Sequence, residues 1–254
     1  MTRRRFYAPP SAFAAGQKIV RLEAEEARHL RDVLRLKTGD EVYVFDGEGK
    51  EFQCVVGESG RDFAQLRILA AVDPTRPESP LRLTLAISLL KGEKFDLVVQ
   101  KATELGAARI VPVVTERADV HLRDEHDAVK RVARWQRIAL EAAKQSGRAR
   151  VPEVKTPTSF ASLVAATWLE NERLRLFFSE RGGDSLARVV EGASPRPIEV
   201  LALVGSEGGL TDEETAQASQ SGWKIVTLGG RTLRAETAAI AVVALLQHLF
   251  GDLK

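Results

Sequence analysis

The sequence predicts two folded parts: a small β-rich barrel over residues 1–72, then an α/β domain with a mostly parallel sheet over residues 81–254. Three observations carry this. Strand-like stretches dominate before residue 73. After residue 80, strands alternate with helical stretches, the pattern of a sheet covered by helices on both faces. Between them, Asp73-Pro74-Thr75-Arg76-Pro77-Glu78-Ser79-Pro80 holds three prolines, which remove backbone donors and fix φ, so residues 73–80 read as a linker.

In the first part, Glu41 to Asp46 has strand character, Gly47-Glu48-Gly49-Lys50 reads as a turn, and Glu51 to Val56 returns as the partner strand. Phe63 to Val72 is a further strand. One helix is expected, Ala24 to Leu36, with Leu30, Val33 and Leu34 on one stripe. In the second part, strands are expected at Leu81 to Ser88, Arg109 to Val114, Leu174 to Phe178, Ile198 to Val204 and Lys224 to Leu228. Helices are expected at Phe95 to Leu105, closed by Gly106, and at about Ala128 to Ser146, closed by Gly147. Two more follow at Asp212 to Gln220 and Ala235 to Phe250.

Composition narrows the function classes. The 254 residues are 44% hydrophobic and 28% charged, which excludes wholesale disorder. Lys+Arg number 37 against 35 Asp+Glu, a net +2, so a nucleic-acid site must come from local clustering. A single cysteine, Cys54, excludes an internal disulfide and a cysteine-built zinc site. His29, His121, His126 and His248 show no metal spacing, so no metal is expected, and these read as structural or surface groups. The longest wholly apolar run, Ala238 to Leu246, is far shorter than the ~20 residues of a membrane helix. The basic start lacks the apolar stretch of a signal peptide. A cytoplasmic protein is expected.

Ligands on such sheets sit at the carboxyl ends of the strands, which directs attention to two loops. Val204-Gly205-Ser206-Glu207-Gly208-Gly209-Leu210-Thr211 leaves a strand and enters a helix, and Thr211 with Glu214 reads as a capping box. It is neither G-x-G-x-x-G nor a P-loop. Glu207, Asp212, Glu213 and Glu214 make it acidic, so a neutral or cationic ligand fits better than a phosphate. Leu228-Gly229-Gly230-Arg231-Thr232-Leu233-Arg234-Ala235-Glu236-Thr237 repeats the strand–glycine–helix plan with two arginines, which suit an anionic partner. A tight turn, and an Arg234–Glu236 pair, are the structural alternatives.

Together these loops resemble the C-terminal signature of the RsmE family, bacterial methyltransferases of the SPOUT superfamily that modify N3 of a uridine in small-subunit (16S) ribosomal RNA. Lys91-Gly92-Glu93-Lys94, Gln100 to Gly106, Gln145-Ser146-Gly147-Arg148, Arg4-Arg5-Phe6-Tyr7 and His29 to Arg35 match as well, so the resemblance spans nearly the whole chain. It implies a PUA-like RNA-binding barrel over 1–72, a SPOUT domain over 81–254 with a C-terminal trefoil knot, S-adenosyl-L-methionine as cofactor, and a homodimer. Two positions depart from the family: Ser206 stands where proline is commoner and is expected to loosen the first loop, and Lys144 stands where glutamate is frequent, leaving no acid there.

The resemblance implies cofactor contacts from Phe178, Val204, Gly205, Glu207, Gly208, Gly209, Leu228, Gly229, Leu233, Arg234 and Thr237. Uridine N3 must lose a proton, and a positive field would stabilise the anion. Arg234 and then Arg148 are the candidates for that field, and Glu236 or Glu104 for taking the proton or orienting an arginine. Lys130 to Arg150 carries a net +6 around Trp135, and Arg3, Arg4 and Arg5 form a second cluster. Such clusters supply salt-sensitive RNA affinity. Expected RNA contacts are Arg3, Arg4, Arg5, Lys91, Lys94, Lys101, Arg134, Gln145 and Arg148, with ribosomal RNA or the 30S particle as partner. Rival readings are a SPOUT ribose 2′-O-methyltransferase and a non-catalytic RNA-binding protein of the same fold.

Overall fold

The computed structural model describes residues 3–13, 18–120, 122–165 and 174–254; His121 lies outside them. The chain divides into two compact units, Met1–Glu78 with Leu140–Val151, and Ser79–Ala139 with Pro152–Lys254.

The first unit is a five-stranded sheet in the order β1-β3-β4-β5-β2, comprising β1 (Arg5–Tyr7), β2 (Ile19–Glu23), β3 (Glu41–Phe45), β4 (Glu51–Ser59) and β5 (Phe63–Val72). Only β1 and β3 pair in parallel; the other pairs are antiparallel. Alternation puts Val20 and Leu22 of β2 inside and Ile19, Arg21 and Glu23 outside. They join Phe6, Leu30, Val42, Val44, Cys54, Val56 and Leu66 in one core.

The expected helix over Ala24 to Leu36 is shorter. α1 covers Ala24–Arg28, and a π-helical turn follows at His29–Val33. Bonds from Leu34 N–H to His29 O and Leu36 N–H to Leu30 O, both 3.0 Å, widen the coil and break the 3.6-residue stripe. Leu30 is therefore buried while Val33 is 68% exposed.

One carboxylate organises this unit. The Glu51 side chain has no exposure and accepts bonds from Arg3 Nη1 (3.2 Å), Arg5 Nη2 (3.1 Å) and the Thr75 backbone N–H (3.2 Å). Arg5 also donates to the carbonyls of Lys144 and Arg148. Arg148 pairs with Glu78 at 2.6 Å, and Lys144 pairs with Glu26 at 2.7 Å and Glu141 at 3.3 Å. Burial works against the Lys144 ammonium, but the two carboxylates outweigh it and leave its pKa raised.

The second unit is an all-parallel eight-stranded sheet. Its strands are β6 (Arg82–Ser88), β7 (Arg109–Val114), β8 (Glu153–Val154), β9 (Thr158–Ser159), β10 (Leu174–Phe178), β11 (Asp184–Ser185), β12 (Glu199–Val204) and β13 (Lys224–Thr227). The order is β11-β13-β10-β12-β6-β7-β8, with β9 also on β7. β6 and β12 are central and almost wholly buried, as their unbroken apolar runs require.

Among the described residues, six helices accompany the sheet: α2 (Lys94–Glu104), α3 (Glu125–Ser146, its last turns in the first unit), α4 (Phe160–Val164), α5 (Leu186–Glu191), α6 (Asp212–Gln220) and α7 (Ala235–Phe250). Gly106 (φ +90°) and Gly147 (φ +82°) follow α2 and α3 in the left-handed region, as expected. α4 and α5, not foreseen, are capped by Ser159 and Ser185 accepting from the N–H of Ser162 and Arg188.

α7 packs on α2, β6 and β12. It is wholly apolar over Ala238–Leu246, and a fully buried amide, Gln247, follows directly. Gln247 Oε1 accepts from Ser79 Oγ at 2.7 Å, and Nε2 donates to Gly106 O at 2.9 Å.

Candidate active site

A cavity of about 750 Å³ opens at the carboxyl ends of β10, β12 and β13. The loops after these strands form its walls, and Ala235 and Ala238 of α7 complete them. This is where a parallel sheet offers open backbone groups and helix N-termini to a ligand.

The loop after β12 turns back at once: Gly209 N–H bonds Ser206 O at 2.9 Å, and Gly209 sits at φ +68°, where a side chain is strained. Gly208 is needed for another reason. A Cβ there would lie 3.0 Å from Arg117 Cβ and 3.1 Å from Arg117 O.

Ser206 is 7% exposed, and its hydroxyl donates to Arg117 O at 3.1 Å. The expectation that Ser206 loosens this loop is therefore corrected: a fixed hydrogen bond stands there. The capping box is present, with Glu214 N–H to Thr211 Oγ1 at 3.0 Å and Thr211 N–H to Glu214 Oε2 at 2.9 Å. Glu214 Oε1 also accepts the Glu116 N–H. Glu214 is thus turned inward and satisfied, and does not add to the acidity of the cavity.

The charges on the cavity wall balance: Glu180, Glu207 and Asp212 against Arg181, Arg231 and Arg234. Lys94 at the start of α2 bonds Glu207 Oε1. That bond holds the Glu207 carboxyl below its ordinary range and raises the Lys94 ammonium, to which nearby Glu236 adds. In the loop after β13, Gly229 and Gly230 take φ +68° and +74°, Gly229 N–H bonds Thr227 Oγ1, and Arg234 is the N-cap of α7.

Nine of the eleven expected cofactor contacts line this cavity: Phe178, Val204, Gly205, Glu207, Gly209, Leu228, Gly229, Leu233 and Arg234. Gly208 and Thr237 do not. Of the four expected catalytic residues only Arg234 lines it. Glu236 is partly buried, and its Oε2 has no hydrogen-bond partner among the described residues. Glu104 is tied to Lys101 at 2.9 Å.

Arg148 is buried in the first unit against Glu78, so its expected catalytic and RNA roles give way to a structural one. Arg5, with its guanidinium on Glu51 and two carbonyls, is corrected in the same way. Trp135, which sits among the basic residues in sequence, is buried with its ring 4.2 Å from Phe95. Arg4, Gln145, Arg137 and Arg150 are exposed. Arg134 is held by Asp96, and Lys91 by Asp119.

Sequence reasoning missed the third wall, Ser179-Glu180-Arg181-Gly182-Gly183, although a Gly-Gly pair just after an apolar strand signals it. It also missed Arg117. Among the described residues, no group of three or more His, Cys, Asp or Glu side chains is placed to hold a metal, and no helix is long and apolar enough to cross a membrane.

A parallel α/β unit with glycine-rich loops around one cavity, in a chain that also holds a small five-stranded β unit, is the architecture of a two-domain RNA methyltransferase. The chain belongs to that family: residues 77–247 match the RNA methyltransferase domain, and residues 22–69 match the RNA methyltransferase PUA domain. Among its relatives, the ribosomal RNA small subunit methyltransferase E of Synechocystis sp. is 35% identical, over 91% of this chain and 73% of its own. The Bacillus subtilis protein of the same name is 30% identical over 89% of each. A crystal structure of ribosomal RNA small subunit methyltransferase E from Neisseria gonorrhoeae, bound to S-adenosyl methionine, is 36% identical and aligns over 100% of both chains with TM-score 0.86.

Proposed function

We propose that this chain transfers a methyl group from S-adenosyl-L-methionine to N3 of a uridine in small-subunit ribosomal RNA. The observation that carries the reading is the three-loop cavity at the strand carboxyl ends, in a chain 36% identical along its full length to a methyltransferase E with S-adenosyl methionine bound. The residues suit that cofactor. The cavity has the size of a small-molecule site, with Phe177, Phe178, Leu228 and Leu233 as apolar surface. Glu180, Glu207 and Asp212 suit a cationic sulfonium and an ammonium group.

When bound, the cofactor supplies the electrophilic methyl group. The chain orients the acceptor and stabilises charge. Arg234, at the cavity wall and permanently charged, stabilises the anion that develops on the uracil ring as N3 loses its proton. Glu236, with one oxygen unengaged, is preferred to the ion-paired Glu104 as its carboxylate partner.

We assign RNA affinity to exposed Arg4, Lys91, Arg134 and Gln145 and to half-buried Arg3, Lys94 and Lys101, and the same clusters extend to Arg137 and Arg150. We read residues 1–72 as the RNA-binding module, 73–80 as its connection, and 81–254 as the catalytic domain with a trefoil knot. The return of α7 onto β6 and β12 supports the knot. A homodimer is inferred from the outer side of α7, where Leu245 is exposed, and from exposed Leu97 on neighbouring α2. We read the protein as cytoplasmic, the compartment that a ribosomal RNA substrate favours.

The test is methylation of small-subunit RNA, and of 30S particles, from a strain lacking this protein, with the product nucleoside identified and mapped. 3-Methyluridine is the expected product; a 2′-O-methylated nucleoside, or none, overturns the reading.

A further inference from the structure

We propose that the turn Thr115–Ala118, which follows β7, is the template that shapes the cofactor loop, and that Arg117 and Ser206 are positioning residues for cofactor binding. This rests on the reading of the cavity as the S-adenosylmethionine site.

The turn is anchored on the sheet: Thr115 Oγ1 donates to Ser88 Oγ at the end of β6, 3.1 Å, with both groups buried. From there it grips the loop after β12 along its length. Arg117 O accepts the Ser206 hydroxyl at the start of the loop. Arg117 Nη1 reaches Gly208 O at 3.4 Å and Leu210 O at 3.3 Å. The Glu116 N–H bonds Glu214 Oε1 at 3.0 Å, which ties the turn to the helix the loop feeds.

The grip matches the loop's weakness. Three glycines in five residues give the free loop many conformations, and ordering them at binding would lower affinity. A loop already fixed through the carbonyls of Gly208 and Leu210 keeps Gly209 on the cavity wall. Arg117 is well placed for this and for little else. Among the described residues its guanidinium meets two loop carbonyls and no carboxylate, although its side chain is exposed. The close fit of Gly208 under Arg117 follows from the same contact.

The test compares Ser206→Val with Ser206→Thr, which differ by a hydroxyl at constant shape, and Arg117→Ala with wild type. S-adenosylmethionine affinity is read by calorimetry, the methylation rate by single turnover at saturating cofactor and RNA, and RNA affinity by filter binding. Ser206→Val is expected to bind the cofactor about 5–10-fold more weakly than Ser206→Thr, the size of one lost hydrogen bond. Arg117→Ala should lose at least as much. Single-turnover rates at saturation and RNA affinity should stay at their wild-type values. Equal cofactor affinity in either comparison overturns the proposal. So does a loss confined to RNA affinity, which would make Arg117 a phosphate contact, or a loss of rate at saturation. Arg117 is exposed, so its variant keeps the test open should Ser206→Val fail to fold. A wild-type protein that binds no S-adenosylmethionine would instead overturn the reading of the cavity.

Discussion

Lys94 Nζ and Glu207 Oε1 meet at 2.5 Å, joining the first turn of α2 to the glycine-rich loop after β12. Because this contact depresses the Glu207 carboxyl, the pair is intact above the ordinary carboxylate range and is lost only as pH falls through the lower folded value. In Lys94→Met the carboxyl loses that bond and titrates higher, back towards the ordinary carboxylate range. Cofactor affinity followed against pH should then fail at a higher pH in the variant than in wild type; superimposable profiles would separate the pair from binding.

Gly209→Ala must hold a side chain at φ +68°, a cost of about 1–2 kcal/mol. Gly208→Val must displace Arg117. Both should weaken S-adenosylmethionine binding at least ten-fold while the circular dichroism spectrum is retained, as calorimetry on the folded variants would read.

Arg234→Ala should slow single-turnover methylation roughly 10²–10³-fold at saturating cofactor and RNA, the size of one lost oxyanion donor. Arg234→Lys should recover part of the loss, since a point charge cannot replace a planar fork. A near-wild-type rate would remove Arg234 from the chemistry.

Glu51→Gln keeps the shape of the side chain and removes the charge that Arg3 and Arg5 share. Leaving a buried arginine without its counter-charge costs about 3–5 kcal/mol. Urea denaturation should show that loss; an unchanged midpoint would mean the two guanidinium groups find water instead.

Burial pushes the Cys54 thiol up to about 12. An unfolded thiol ionises near ~8.5, so above that value the unfolded chain gains a thiolate that the folded chain cannot form. Stability should therefore decline through the alkaline range until the folded value is reached. Cys54→Ala should flatten that decline in unfolding curves measured across it.

The elements read most accurately from sequence were those with local signals. The Arg109–Val114 and Leu174–Phe178 strands and the Asp212–Gln220 and Ala235–Phe250 helices have the bounds that apolar runs, a capping box and glycine stops imply. β1 and β2 were missed because their pairing partners, β3 and β5, lie tens of residues away. The π-helical turn was missed because Leu30, Val33 and Leu34 fit an ordinary helical stripe. In the site, the two glycine-rich loops were legible because their backbone needs particular residue types. The fate of each arginine was not. Nothing near Arg5 or Arg148 in sequence announces Glu51 or Glu78, and counting charge cannot tell a guanidinium facing solvent from one held internally. Arg117 was hidden for the same reason, since its partners Ser206 and Gly208 lie about ninety positions later.

Gln247 is far from the cavity, yet it decides where Arg234 stands. A helix of alanines, valines and leucines offers a neighbouring surface several nearly equivalent alignments, because sliding by one turn brings similar side chains to similar places. Gln247 removes that ambiguity: only one alignment lets its amide meet both Ser79 and Gly106 O, and any other leaves buried polar groups orphaned. A slip of a single turn would carry the head of the helix about 5.4 Å along its axis, and Arg234 with it. The buried amide thus acts as a vernier, setting at one end of α7 the position of a charge at the other.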